Sequence, residues 1–247
     1  MMRNPSRRKP ATCSSVTSSK AVGVRVAVAT QVRYRRVTDL HKQPLESFLA
    51  AVAEATPAPG GGSSAAVGAA LAAALVEMAA RIASAGAEAG RAVRIGSTGG
   101  AAGKAERIGS VGEAADHART LRARALRLAH EELSSYAPVL EARTPEEREL
   151  ALAAASEPPA HVAETAAEIA ELGAEVAGSS SPAVRGDALT GVVFAEAAAS
   201  AAARLVEINV GSGPVFDRAR RAELRAVEAR ASATGRPPPP PRAPIPR

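Results

Sequence analysis

Apolar residues recur every three or four positions through most of the chain between residues 44 and 232, which predicts a series of helices. The first predicted helix covers 44–55, and one of its faces carries the apolar side chains Leu45, Phe48, Leu49 and Val52. A second helix is predicted to begin at Ser63 or Ser64, because either hydroxyl is a good N-cap, and to run to about Ala85. Small apolar residues surround this second helix almost completely, so we expect other helices to pack against most of its sides.

Five more helices are predicted further along the chain, at about 113–141, from Thr144, at 160–177, at 188–209 and at 214–232. Pro138 is expected to break or kink the first of these. The sequence TPEE at Thr144 supplies an N-cap, a proline at the first helical position and an acidic first turn. Residues 86–112 are rich in glycine, which predicts a poor helix or a mobile loop. The predicted fold class is therefore all-α, an antiparallel helical bundle.

The composition supports one domain built from closely packed helices. Of 247 residues, 46% are hydrophobic but only 2% are aromatic, so the core must form by close approach of helices and not around bulky side chains. We expect one helical domain over 39–232, between a disordered basic tail, 1–38, and a disordered proline-rich tail, 233–247. Alanine-rich helices also expose small flat faces that need a partner, so a homodimer is expected.

The net charge of +6 is unevenly distributed along the chain. Residues 1–44 hold ten lysines and arginines against one acid, and residues 232–247 hold three arginines and no acid. The remaining residues, 45–231, hold 18 basic and 24 acidic side chains, a net charge of −6. An acidic body with basic tails argues against nucleic-acid binding, and the tails are expected to be solvated.

The N-terminal segment and the alanine-rich runs bear on the cellular location. A single cysteine, Cys13, excludes a disulfide framework and fits a reducing compartment. Residues 1–20 are basic and serine-rich without the apolar core of a secretory signal, and either an organellar targeting peptide or an upstream translation start would explain them. The alanine-rich runs at 65–83 and 192–203 are interpreted as buried helices, because alanine is only weakly hydrophobic. We expect a soluble, cytoplasmic protein with no membrane contact.

The sequence PAPGGGSS, residues 57–64, allows two interpretations. A tight turn between helices with a serine cap is the simpler one, but such a turn needs only one glycine. Three consecutive glycines, Gly60, Gly61 and Gly62, would leave successive N–H groups unshielded at a helix N-terminus, where the helix dipole favours a carboxylate or a phosphate. The spacing matches neither a P-loop nor a dinucleotide fingerprint, since no G-K-[ST] follows and no strand precedes.

A second candidate region begins with SPAVRGDALTG, residues 181–191. Asp187 is predicted at a helix start, where it could simply act as a cap, but an acid beside a buried helix can also have a pKa suited to acid–base chemistry. Asn209, at the other end of that helix, is either a C-cap or a second site residue. The four histidines have no paired metal-ligand spacing and G-x-S-x-G is absent, so neither metal nor serine-nucleophile chemistry is expected.

Two long segments resemble the cyclodeaminase/cyclohydrolase family of folate enzymes, which is related to the C-terminal half of formiminotransferase-cyclodeaminase. They are FLAAVAEATPAPGGGSSAAVGAALAAALVEMAARIA and SPAVRGDALTGVVFAEAAASAAARLVEIN, and the similarity runs from about Pro44 to Asn209. The resemblance implies an all-helical dimer with folate in a groove near the glycines. It implies ring closure of 5-formimino-tetrahydrofolate with loss of ammonia, or hydrolysis of 5,10-methenyl-tetrahydrofolate. It implies no metal and no cofactor beyond the tetrahydrofolate substrate.

Carried over by position, the resemblance implies substrate-binding roles for Gly60, Gly61, Gly62, Ser63 and Asn209, and catalytic roles for Asp187 and Glu132. Asp187 could stabilise the cationic methenyl carbon and exchange a proton with the substrate. The chain departs from the family at Ser181 and Leu205, which replace asparagines, and at Glu132, which replaces an aspartate. Segment 86–112 replaces a lysine-rich stretch. These departures support an alternative hypothesis, a non-catalytic member that keeps the fold as a folate- or anion-binding scaffold dimer.

Overall fold

A computed structural model of the chain describes residues 43–56, 58–92, 102–238 and 240. These residues form helices and no strand, which confirms the all-α prediction. The helices are α1 (Leu45–Ala53), α2 (Gly61–Ala92), α3 (Ala102–Ser135), α4 (Ala137–Glu141), α5 (Pro145–Ala155), α6 (Glu157–Ser179), α7 (Pro182–Asn209) and α8 (Pro214–Thr234).

The helices α2, α6 and α7 form the centre of the bundle and pack against one another. Helix α3 packs on α2 and α6, and α8 packs on α6 and α7. Gly62 at the start of α2 lies against Glu132 in the last turn of α3, and Gly61 lies beside Leu205 near the end of α7. Helix α2 therefore runs antiparallel to both α3 and α7, and its first turn is surrounded by their C-terminal ends.

Close approach of the three central helices confirms what the alanine-rich composition predicts. Most of the fully buried core positions on α2, α6 and α7 are alanines. Gly173 of α6 and Gly191 of α7 both lie against Val76 of α2. A Cβ atom at Gly191 would stand 2.9 Å from a Val76 methyl group and 3.0 Å from the carbonyl oxygen of Ala72. The bundle thus packs backbone against side chain where bulkier residues would separate the helices.

Charged side chains attach the outer helices to this centre. Arg218 of α8 donates hydrogen bonds to Glu157 and Glu164 of α6, each at 3.0 Å. Arg230 of α8 donates to Glu196 of α7 at 2.9 Å. Helix α8 packs on α6 and α7 through the buried alanines Ala219, Ala222 and Ala226, and these partly exposed ion pairs add to that packing.

Two predicted helix ends agree with the structure. Thr144 and Glu147 form a reciprocal capping box at the start of α5, as the TPEE sequence predicts. The helix ahead of it breaks between Ser135 and Ala137, next to Pro138, which lies in the first turn of α4. Both features were readable from the sequence because they depend on local backbone chemistry.

Two predicted helix starts were wrong. Helix α2 begins at Gly61, so Ser63 and Ser64 lie inside its first turn and neither caps it; the Ser64 hydroxyl donates back to the carbonyl oxygen of Gly60 at 2.8 Å. Helix α7 begins at Pro182, six residues before the predicted start, so Asp187 lies within the helix and does not begin it. Proline is favoured in a first helical turn, where its missing N–H costs no hydrogen bond.

Other helix ends also differ from the predicted ones. The glycine-rich segment 86–112 is helical at both ends, up to Ala92 and from Ala102 onward. Helix α8 continues to Thr234, two residues into the predicted tail. The predicted tail 1–38 and about half of the predicted tail 233–247 lie outside the described residues. Residues 61–86 and 182–209 are long and apolar enough to cross a membrane, but 56% of each apolar window is buried in the bundle, as in core helices of soluble proteins.

Candidate active site

A cavity of about 360 Å³ lies at the end of the bundle where α2 begins and α3 and α7 end. Such a volume falls in the range of small-molecule sites, roughly 300–1,000 Å³. Its walls come from five places along the chain: the glycine segment, the end of α3, the turn before α4, the α5–α6 junction and the end of α7. The lining residues are Ala58, Gly60, Gly61, Gly62, Ser63, Glu132, Ser135, Tyr136, Ala155, Pro159, Leu205, Ile208 and Asn209.

Left-handed backbone conformations do not explain the three glycines of the segment 60–62. Left-handed backbone conformations among the described glycines occur at Gly211, Gly213 and Gly235, and not in the segment 60–62. The backbone there therefore does not require glycine for its φ angles. A need for space explains Gly62, where a Cβ atom would collide with a neighbouring side chain.

The space at Gly62 is filled by the carboxyl group of Glu132. A Cβ atom at Gly62 would overlap that carboxyl group, whereas a Cβ at Gly61 would stand 3.6 Å from the δ carbons of Leu205, an ordinary contact. Glycine at position 62 thus lets the acid from α3 reach the first turn of α2. That the glycines leave N–H groups uncovered for a ligand stays a prediction.

Glu132 is the acid whose chemistry the cavity changes most. Its carboxyl oxygen Oε1 is buried and has no hydrogen-bond partner among the described residues. Burial raises the pKa of Glu132 from 4.5 to about 7, because the charged form loses hydration. A carboxyl group with such a pKa can both accept and donate a proton near neutral pH.

A second polar atom in the cavity is also unsatisfied. The buried Ser63 hydroxyl oxygen has no hydrogen-bond partner among the described residues. Asn209 and Tyr136 add an amide and a phenol to the lining, while Leu205 and Ile208 add apolar surface. Buried polar atoms without partners are rare in folded proteins, so the two in this cavity mark a place where a ligand can supply the missing hydrogen bonds.

The structure brings six of the seven predicted site residues together and separates the seventh. Glu132, Ser63, Asn209 and the three glycines line one cavity. Asp187 does not line it and lies 22 residues before Asn209 on α7, a distance of about 33 Å along the helix. Within one chain, Asp187 therefore cannot act beside Glu132 as the sequence led us to expect.

Sequence reasoning did not single out Tyr136 or Ser135 as site residues. Both lie where α3 ends, and Pro138 had predicted a helix break there. A helix end exposes backbone groups and turns side chains toward neighbouring elements. The predicted helix break was therefore the sequence feature that could have pointed to Ser135 and Tyr136 as site residues. No sequence pattern predicted the contact between Gly62 and Glu132, because the two residues are 70 positions apart in the chain.

No group of three or more His, Cys, Asp or Glu side chains in the described part of the chain is arranged to hold a metal ion. The lining of the cavity likewise includes no lysine or arginine among the described residues. The polar groups that the cavity offers a ligand are thus a carboxyl, two hydroxyls at Ser63 and Ser135, a phenol, an amide and backbone.

Comparisons with known proteins agree with this architecture. A family model described as formiminotransferase-cyclodeaminase matches residues 44–229. The fold is similar to the crystal structure of formiminotetrahydrofolate cyclodeaminase from Thermotoga maritima, with a TM-score of 0.65 and 19% sequence identity. That similarity covers 80% of this chain and 96% of the other. A search of curated proteins finds no significant match.

Proposed function

Because the chain belongs to the formiminotransferase-cyclodeaminase family, we propose that its cavity closes the ring of a 5-formimino-tetrahydrofolate and releases ammonia. The observation that carries this proposal is the carboxyl group of Glu132. It is buried in the cavity, one of its oxygens has no partner, and its pKa is raised to about 7. The residue has the property that this reaction needs most, an ability to exchange protons at neutral pH.

The chemistry requires one proton to move from one nitrogen to another. The N10 nitrogen attacks the carbon of the protonated formimino group, and a bond from N10 to that carbon forms. The proton on N10 must then reach the former imino nitrogen, whose bond to carbon breaks as ammonia leaves. The positive charge that the formimino group carried remains on the 5,10-methenyl product, so no net proton is gained or lost.

Glu132 can carry out both halves of this transfer. Its carboxylate accepts the proton from N10, and the resulting carboxylic acid donates it to the departing nitrogen. General acid–base catalysis is most effective when the pKa lies near the working pH, and the raised pKa of Glu132 meets that condition. The transfer uses only this side chain and the substrate, so we propose that no metal or further cofactor takes part.

The remaining lining residues suit a folate. The apolar side chains of Leu205 and Ile208 and the phenol of Tyr136 offer flat surfaces for an aromatic ring system. The Ser63 hydroxyl and the Asn209 amide offer hydrogen bonds to polar ring atoms. The first turn of α2 presents N–H groups at the positive end of a helix dipole, which favours a carboxylate.

Two alternative functions would use the same cavity. Hydrolysis of 5,10-methenyl-tetrahydrofolate would use Glu132 to activate water. This reaction differs from ring closure because it consumes the methenyl form and releases no ammonia. A scaffold role would leave folate binding intact without turnover. We also propose that the protein is soluble and cytoplasmic, and that it works as a homodimer.

Ammonia release from 5-formimino-tetrahydrofolate by purified protein tests the proposal. We expect ammonia and the methenyl product to form in equal amounts, and Glu132→Gln to lower the rate by roughly a hundredfold or more, as is typical when a general base is lost. Glu131→Gln is the matched control, because Glu131 is the exposed neighbour of Glu132 on the same helix. Methenyl consumption without ammonia would favour the hydrolase, and binding without either reaction would favour the scaffold.

A further inference from the structure

The carboxyl group of Glu132 has no positively charged partner among the described residues. Its Oε1 atom is buried without a hydrogen bond, and the cavity lining around it includes no lysine, arginine or histidine in the described part of the chain. Buried acids elsewhere in the bundle are paired: Glu77 accepts a hydrogen bond from Arg122 at 3.0 Å, and Glu196 accepts one from Arg230 at 2.9 Å. A buried charge without a partner is costly, so we expect a ligand to supply the counter-ion of Glu132.

The elements packed around Glu132 do not supply this positive charge. On α7, Arg204 donates a hydrogen bond to Glu207, and neither side chain lines the cavity. The other titratable side chain in the described lining is Tyr136, a phenol that carries no positive charge in either protonation state. The first turn of α2 contributes the positive end of a helix dipole, which amounts to about half of one charge. Burial still raises the pKa of Glu132 to about 7, so these groups leave its negative charge largely uncompensated.

A planar cation whose charge is spread over an N–C–N unit suits this carboxyl group. Carboxylates pair strongly with planar nitrogen cations, because both oxygens can face the delocalised positive charge. In the proposed reaction the protonated formimino group of the substrate is such a cation, and the 5,10-methenyl group of the product is another. A formyl group on N5 has a similar size, but it is neutral and its oxygen only accepts hydrogen bonds.

A protonated Glu132 would instead donate a hydrogen bond to a carbonyl oxygen, but the cavity already has other donors for that purpose. They are the hydroxyl of Ser63, the phenol of Tyr136 and the amide of Asn209. Among the described lining residues, Glu132 is the one whose side chain becomes an anion near neutral pH. A bound cation favours this ionised form, and hydrogen bonds to charged groups are stronger than neutral ones. The arrangement therefore favours a cationic ligand over a neutral one.

We propose that Glu132 determines specificity as well as moving protons: its carboxylate pairs with a cationic N–C–N group, so the cavity selects cationic one-carbon groups and rejects neutral formyl groups. The choice of a tetrahydrofolate as the ligand rests on the proposed function, whereas the preference for a cation rests on the charge and burial of the cavity lining. The positive charge is present before and after ring closure. The methenyl product should therefore compete with the substrate for the cavity, and the formyl analogue should compete poorly.

Two small molecules of the same shape test the preference without folate and without any assay of activity. Benzamidine carries an N–C–N cation, and benzamide is its neutral counterpart. At about pH 8, above the pKa of about 7, most Glu132 side chains are ionised. Ligand-observed NMR titration of the wild type should then show benzamidine bound roughly tenfold to a hundredfold more tightly than benzamide, as expected for a hydrogen bond to a charged group. Equal binding of the two, or no binding of benzamidine at millimolar concentration, would overturn the proposal.

Two variants assign the preference to Glu132. Glu132→Gln should bind the two compounds about equally, whereas Glu131→Gln, at the exposed neighbouring position, should keep the wild-type preference. Circular dichroism checks that both variants are folded, and the comparison within the wild type needs no variant. A preference for benzamidine that survives in folded Glu132→Gln would show that another group selects the cation.

A second pair of ligands tests the preference on folates. 5,10-Methenyl-tetrahydrofolate and 5-formyl-tetrahydrofolate differ in charge at the one-carbon group and share the rest of the molecule. Ultrafiltration should show the methenyl form bound roughly tenfold or more tightly than the formyl form, while its absorbance shows that it stays intact. If benzamidine is preferred but no ammonia is released from 5-formimino-tetrahydrofolate, the proposed function fails and the cation site stands. If ammonia is released but the two folates bind equally, the proposed function stands and selection by charge is wrong.

Discussion

Replacing Glu132 by glutamine is expected to change how stability depends on pH, because the folded protein holds this acid where its charge is poorly hydrated. Burial raises the pKa of Glu132 from 4.5 to about 7. At a pH between these two pKa values, Glu132 is mostly protonated in the folded protein and mostly ionised in the unfolded chain. The stabilisation from this group is therefore fully present below pH 4.5 and is lost as the pH rises through 7.

The size of the effect follows from the two pKa values. When the pH rises from about 5 to about 8, proton linkage predicts that the contribution of Glu132 to the free energy of unfolding falls by roughly 2–3 kcal/mol. Glutamine has a similar shape and does not titrate, so Glu132→Gln should lose this component. The variant should gain stability relative to the wild type at the higher pH while it loses activity.

Urea unfolding followed by circular dichroism at both pH values measures this difference directly. Protein concentration must be held constant, because the stability of any oligomer depends on it. The change in the free energy of unfolding between the two pH values is compared in wild type and variant. The contributions of all other titrating groups cancel in the difference. The control Glu131→Gln, at an exposed neighbouring position, should behave as the wild type. An equal pH dependence in wild type and Glu132→Gln would refute the idea that the cavity desolvates this carboxyl group.

Three further predictions follow from the glycines and from Glu132. Gly62→Ala should lower turnover by roughly a hundredfold by displacing the Glu132 carboxyl group. Gly68→Ala, on the same helix but outside the cavity, meets open space and should keep near wild-type turnover in the same steady-state assay. Gly191→Ala should be less stable than Gly178→Ala by about 1–3 kcal/mol in urea unfolding, because a methyl group is crowded at Gly191 and meets open space at Gly178. The kcat/KM of the wild type should rise with pH through an apparent pKa near 7, since N10 needs an unprotonated base; a flat profile would contradict this.

The fold was largely predictable because its signals are local. Helical periodicity, the Thr144 capping box and the Pro138 break each depend on a few adjacent residues. The start of α7 differs from the prediction, because Pro182 and not Asp187 begins the helix. Proline in a first turn is a helix signal that can be mistaken for a loop signal.

The candidate site was predictable in its residues but not in its arrangement. The glycine segment and Asn209 stood out because of motif and resemblance, and both line the cavity. That Gly62 makes room for Glu132, and that Asp187 lies at the far end of α7, depend on helix packing between distant parts of the chain. The periodicity of one helix shows which of its faces is buried, but it does not show which side chains of another helix will contact that face.

Turnover of 5-formimino-tetrahydrofolate, with ammonia and 5,10-methenyl-tetrahydrofolate measured in the same reaction, tests whether Glu132 catalyses ring closure. We expect wild-type protein to form both products in equal amounts and Glu132→Gln to form them at least roughly a hundredfold more slowly. Failure of the wild type to release ammonia, or release by Glu132→Gln at the wild-type rate, would show that the cavity does not catalyse this reaction through Glu132.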